Sequence, residues 1–279
     1  MDAAAHVRQL VRSADGDRYL SVLYAPEDQR RSLLALYAFN VEVASIRDRI
    51  REPLAGEMRL TWWRDAVASG ITGVTGNPVA DELNAAIERH RLPHRVFADM
   101  LEARMFDLYD DPMPDRGTLE GYCGETAGAL IQLAALVLDA EAAQGSGEAA
   151  GHGGCAQAIT GLLRLLPIHR ARGQCYVPAD ILRAAGTSRD ELVSSEPGEG
   201  ASRALAAMIA LAREHLARFE GAAKELPKSL RPAFLPVALS GLYLRAVEVR
   251  GPKALTTIAD IGSFNRHWTL LRHASRGWR

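Results

Sequence analysis

The sequence predicts an all-α fold, and three observations carry that prediction. Short alternating runs of Val, Ile, Thr and aromatic residues, the signature of strands, are missing. Ala, Leu, Arg and Glu instead fill long stretches at helical spacing. Proline or glycine punctuates nearly every gap between those stretches.

Taken in order, the first helix is expected over Glu27 to Ile50, behind the start signal of Pro26. Leu54 to Ser69 follows, then Pro78 to His90 and Pro93 to Tyr109, each opening on proline, then Thr118 to Ala143. The glycine-rich "QGSGEAAGHGG" (Gln144 to Gly154) separates that helix from Cys155 to Leu166. A second break, "SSEPGEG" (Ser194 to Gly200), precedes Arg203 to Lys224, Pro232 to Val249 and Asn265 to Ser275. Neither break is long or biased enough for a disordered linker, so both are expected to be surface loops of one domain spanning residues 1–279. No solenoid repeat is visible.

Hydrophobic residues make up 48% and charged residues 24% of the 279, which is globular composition. The formal net charge of −1 gives no long-range attraction to nucleic acid or an anionic membrane, so any such attraction is local. Cys123, Cys155 and Cys175 are an odd number in no paired spacing, which argues against a disulfide framework and fits a reducing, cytoplasmic compartment. No apolar run long enough to span a bilayer without a charge is expected.

In "YAFNVEVASIRDRI" (Tyr37 to Ile50), Phe39, Val43, Ile46 and Ile50 recur at steps of three and four and form a core stripe. Asn40, Ala44 and Asp48 form a second i, i+4 row flanked by Arg47, roughly 60 to 140 degrees around the axis. An alanine between an amide and a carboxylate leaves that row poorly armed. On its own it reads as a solvated flank. Further along, Gly161 and Leu165 form another i, i+4 row with His169 next in register, and Pro167 kinks or ends the helix between them. His169, Arg170 and Arg172 then cluster before Tyr176 and Pro178, a basic group of the kind that holds a phosphate or carboxylate, or a solvated charged turn.

These two segments, "APEDQRRSLLALYAFNVEVASIRD" and "GLLRLLPIHRARGQCYVP", together resemble the squalene/phytoene synthase superfamily over about Asp17 to Leu244. The resemblance implies the isoprenoid (terpenoid) synthase type of single-domain helical bundle with a central cavity. It also implies head-to-head prenyl transfer, in which two acidic clusters hold Mg²⁺ on a diphosphate leaving group. Here the first cluster matches Ala44, Ser45 and Asp48, so one aspartate remains. Glu42 and Glu52 lie elsewhere around the helix and do not rescue it. The second matches Gly161, Leu165, Ile168 and His169, none a carboxylate.

"AFNVEVASIRD", "GEMRLTWWRDAV" and "LLRLLPIHRARGQCYVPADI" resemble more closely the branch of the mitochondrial complex I assembly factor and its bacterial relatives. That resemblance implies a non-catalytic, peripheral protein at the inner membrane that acts in respiratory complex assembly or binds a prenyl lipid. No catalytic residue, metal ligand or cofactor is then expected, and Asn40, Ala44, Arg47, Asp48, Gly161, Leu165, His169, Arg170, Arg172 and Tyr176 would be the remnant of a diphosphate pocket. A diphosphate would be held directly by cations such as Arg170 and Arg172. The alternative is an active prenyl transferase with a reduced Mg²⁺ site. Expected partners are a prenyl lipid or isoprenoid diphosphate, a respiratory-complex subunit or other protein, and a membrane surface.

Other signals are weaker. "GSGEAAG" has the wrong spacing for a nucleotide loop and reads as a turn. His152 and Cys155 are three apart, but a zinc site needs a second ligand pair that the sequence does not show. Trp62 and Trp63 must point to different sides of a helix, one into the core. The tail "NRHWTLLRHASRGWR" suits either a membrane surface, with Trp268 and Trp278 among Arg266, Arg272, Arg276 and Arg279, or a helix docked on the core. Nucleic acid would need a broader basic surface than this.

Overall fold

The computed structural model describes residues 2–68 and 74–278. Among them every regular element is helical. The α-helices are α1 (Ala3–Ala14), α2 (Gly16–Val22), α3 (Glu27–Ala44), α4 (Pro53–Ala66), α5 (Pro78–His90), α6 (His94–Ala103), α7 (Arg116–Cys123) and α8 (Ala129–Leu138). They continue with α9 (Gly147–Arg164), α10 (Leu166–Ala171), α11 (Ala179–Ala184), α12 (Arg189–Val193), α13 (Glu199–Ala222), α14 (Arg231–Ala238), α15 (Ser240–Arg250) and α16 (Ser263–Arg276). Two compact units emerge: Met1–Tyr109 with Ala129–Gly147 and Leu226–Pro236, and Asp110–Gly128 with Glu148–Glu225 and Val237–Arg279.

In the first unit α3 is the central helix, with Leu33 to Phe39 all buried. Phe39 meets Trp63 of α4 and Phe97 of α6 edge-on, at ring-centroid distances of 5.2 and 5.6 Å. Such aromatic pairs add roughly 1 kcal/mol each beyond area burial. Arg31 of α3 holds the buried carboxylate of Glu82 on α5 through two bonds of 2.6 Å, so the burial of that charge is compensated. α5 starts cleanly because Pro78 is pre-set for its first turn and the Asn77 side chain accepts from the amides of Val79 and Ala80.

In the second unit the 24-residue α13 buries Leu205, Met208, Leu216 and Phe219. A π-helical turn, Gly124–Gly128, follows α7. Thr126 Oγ1 there donates to the Tyr122 carbonyl at 2.6 Å. Gly154 of α9 lies against it so closely that an added Cβ would stand 2.4 Å from both Cα and N of Gly128.

Several expectations are corrected. The first helix stops at Ala44, six residues short of Ile50. The break Gln144 to Gly154 is not a loop: α9 already begins at Gly147, and glycine's helix cost of about 1 kcal/mol per residue is outweighed by the close helix contact that only glycine permits. Thr118 to Ala143 is interrupted by the π-turn and stops being α-helical at Leu138, and Pro93 to Tyr109 ends in 3-10 winding after Ala103. The helices α1, α2, α10, α11 and α12 were not anticipated. Pro78 to His90 matches at both ends. Ser69 and Arg279 lie outside the described residues. Two helical runs, Arg116–Leu138 and Lys228–Leu255, are long and apolar enough to cross a membrane, but 67% and 61% of their most apolar windows are buried within the protein, as in core helices.

Candidate functional site

The first motif sits where α3 ends. Ser45 closes the helix with its amide on the Val41 carbonyl, and the chain then tightens: Asp48 and Arg49 amides donate to the carbonyls of Ser45 and Ile46, three residues back. That 3-10 winding turns about 120° per residue against 100° in an α-helix. Over four residues it carries Asp48 up to roughly 80° past the position that an unbroken i, i+4 row with Ala44 requires. Asn40 and Arg47 are half-buried, while Ala44 and Asp48 are exposed.

Nearby, a cleft of about 210 Å³ is lined by Glu42, Ile46 and Arg49 together with Arg59, Trp62 and Trp63. Sequence reasoning had set Glu42 aside. Here it pairs with Arg49 at 3.1 Å, and this face lines a cleft. Trp63 is buried and Trp62 exposed, as adjacent helical positions dictate.

The second motif occupies the end of α9 and the whole of α10. Gly161 and His169 are half-buried and Leu165 is exposed; Pro167 starts α10 in its first turn. The His169 ring packs on Tyr176 at 4.8 Å, and Tyr176 lies 6.4 Å from Tyr122. Arg170 departs from its expected role. Its guanidinium is buried and donates to three backbone carbonyls, those of Leu192, Ser194 and Leu255. Burial pushes its pKa down. A cation committed to three carbonyls ties down the α12 region and the turn after α15, and it is not aimed at a ligand. Arg172 is exposed.

The arginine that sequence reasoning missed is Arg164. Its guanidinium stacks over the Tyr243 ring at 3.6 Å and pairs with Asp260 at 3.6 Å. Arg266 donates to the Tyr243 hydroxyl at 3.0 Å and to Asp260 at 3.2 Å. Two guanidiniums thus share one carboxylate. The only available signal was that Arg164 is three residues after Gly161, on nearly the same helix face.

Carboxylates suited to a Mg²⁺ clamp on a diphosphate are absent from both motifs: a single displaced aspartate in one, and glycine, leucine, isoleucine and histidine in the other. Among the described residues no group of three or more His, Cys, Asp and Glu is placed to hold a metal ion. The donor set does not fit the metal that such a motif position implies.

A helical chain of this architecture, with these two motif segments in this order, is of the squalene and phytoene synthase class. The family model for squalene/phytoene synthase matches residues 11–272, and the chain belongs to that family. Among curated proteins it is 30% identical to the mouse (Mus musculus) "NADH dehydrogenase (ubiquinone) complex I, assembly factor 6", over 86% of this chain and 72% of that protein. It is 24% identical to presqualene diphosphate synthase of Sinorhizobium fredii over 98% of both chains. The solved squalene synthase HpnC from Alicyclobacillus acidocaldarius superposes with a TM-score of 0.72 at 21% identity, covering 89% of this chain and 94% of that one, and shows the shared fold.

Proposed function

We propose that this chain does not transfer prenyl groups and instead acts in respiratory complex assembly, peripheral to a membrane. The loss of carboxylates from both motifs carries the reading, since a diphosphate cannot leave without cations to take its charge. The similarity to complex I assembly factor 6 supports the assembly role. A prenyl lipid or a protein subunit is the partner class that the fold and these relatives support.

Helix α16 supports the peripheral placement. Phe264, Trp268 and Leu271 recur along one face at 78%, 58% and 51% exposure, with Arg272 and Arg276 beside them. Apolar anchors among arginines suit an interface of lipid tails and anionic headgroups. The inner end of the same helix docks on the core, with Leu270 buried and Trp278 edge-on to Phe219 at 5.3 Å.

Incubation of the purified protein with Mg²⁺ and farnesyl or geranylgeranyl diphosphate tests the reading. No inorganic diphosphate is released above the protein-free rate, while cells lacking the chain accumulate less assembled complex I. Steady diphosphate release with a head-to-head product would overturn it in favour of the active transferase.

A further inference from the structure

The second unit contains a polar cluster that none of the motifs above uses. Cys155 on α9 meets Cys123 at the end of α7, and the thiol of Cys123 hydrogen bonds to the Cys155 sulfur. The approach is built by the backbone. Gly154, the residue before Cys155, lies against Gly128 at the end of the π-turn that follows Cys123, closer than any side chain would allow. π-turns of this kind concentrate at functional sites.

Around the pair stand titratable groups from three helices. From α13, His215 directs Nε2 to Glu120 Oε1 at 2.9 Å and Nδ1 to Nδ1 of His152 at 3.0 Å. From α7, Glu120 also accepts from Arg116 at 2.7 Å. Arg116 reaches Glu214 at 3.1 Å, and Arg218 pairs with Glu214 at 2.8 Å. His152 shares α9 with Cys155. Both nitrogens of His215 are thus engaged, by Glu120 and by His152. The Cys123 hydrogen bond, and after it the neighbouring His215, hold the Cys155 thiol well below the usual thiol range, and His215 is correspondingly raised by Cys155 and Glu120. As a thiol, Cys155 donates to the Glu120 carbonyl at 3.7 Å. Both cysteines are buried, Cys155 with 6% of its surface exposed and Cys123 with none, so Cys155 is the nearer of the two to solvent.

We propose that Cys155 is a peroxide-reactive cysteine whose sulfenic acid is resolved by Cys123 into a disulfide. The Cys155 sulfur attacks the peroxide, forming S–O and breaking O–O, and the departing hydroxide or alkoxide leaves as water or alcohol with a proton from solvent. The Cys123 sulfur then attacks the sulfenic sulfur, S–S forms, S–O breaks, and hydroxide departs as water with the Cys123 proton. Two thiols are oxidised and one peroxide is reduced.

Peptide mapping of the reduced full-length protein after limited hydrogen peroxide tests this. A Cys123–Cys155 linked peptide appears, lighter by two hydrogens, while Cys175 stays reduced; its thiol is raised by burial and serves as the internal reference. In Cys123→Ser, dimedone traps a sulfenic acid at Cys155. His215→Gln moves the pH at which Cys155 alkylation reaches half its maximal rate upward by about one unit, because the neighbouring imidazolium no longer favours the thiolate. Oxidation of Cys155 no faster than Cys175, a linked peptide involving Cys175, or one equivalent of zinc held by the cysteines of the purified protein would each overturn the proposal.

Discussion

Replacing Arg170 separates a structural cation from a ligand-holding one. In Arg170→Met three buried carbonyls, of Leu192, Ser194 and Leu255, lose their donor. Bonds from an ionised donor contribute roughly 1.5 kcal/mol each at the low end, about 4.5 kcal/mol for three. Methionine recovers about 1.5 kcal/mol through apolar burial, leaving a net loss of about 3 kcal/mol. Lysine does no better, because a point charge cannot reproduce the fork that addresses three carbonyls at once. With a urea slope of about 3 kcal/mol per molar, the unfolding midpoint falls by about 1 M. Far-UV circular dichroism and tryptophan fluorescence, followed together, measure it. The exposed Arg172→Met provides the contrast and shifts stability by no more than about 0.5 kcal/mol. If Arg170→Met left the midpoint within about 0.2 M of the parent and instead abolished binding of an isoprenoid diphosphate analogue, the reasoning would be refuted.

Two glycines of α9 are expected to respond in opposite directions. Gly154→Ala forces a methyl to 2.4 Å from the Gly128 backbone and destabilises by at least about 2 kcal/mol, whereas Gly161→Ala meets nothing within 4 Å and stabilises by about 0.5 to 1 kcal/mol. Equal melting shifts for the two variants would show that the helices do not approach as described. On anionic liposomes, the double variant Phe264→Ala, Trp268→Ala loses about 3 kcal/mol of apolar burial, a partition constant lower by roughly a hundredfold. Cosedimentation at constant ionic strength reads this, and unchanged binding would remove α16 from the membrane surface.

Helix identity was legible where apolar spacing and proline agreed. Pro78 to His90 is set by Asn77 and Pro78 at one end and by Arg91 at the other, which takes a left-handed conformation with φ of 51°. The early stop of α3 was not legible, because Val43 and Ile46 continue the apolar spacing through the turn where hydrogen bonding changes. The glycines from Gly147 to Gly154 mislead for a related reason. Local propensity says loop, and only the partner backbone at Gly128 shows why glycine is required inside a helix. Of the site, the two motif segments and the absence of their carboxylates could be read directly. The commitment of Arg170 to carbonyls depends on Leu192 and Leu255, 22 and 85 residues away, and the stacking of Arg164 depends on Tyr243 of α15. No local pattern encodes such pairings.

The tightened segment after Ala44 bears on whether a pair of carboxylates could be built at this motif. Ala44→Asp would restore a carboxylate at the last α-helical residue, yet its intended companion at Asp48 already points elsewhere because the winding between them has changed. A pair of carboxylates one turn apart therefore requires a helical turn through Ser45 as well as an exchange of side chains, two changes that do not produce the pair singly. Exchange of a single side chain at Ala44 does not complete such a pair.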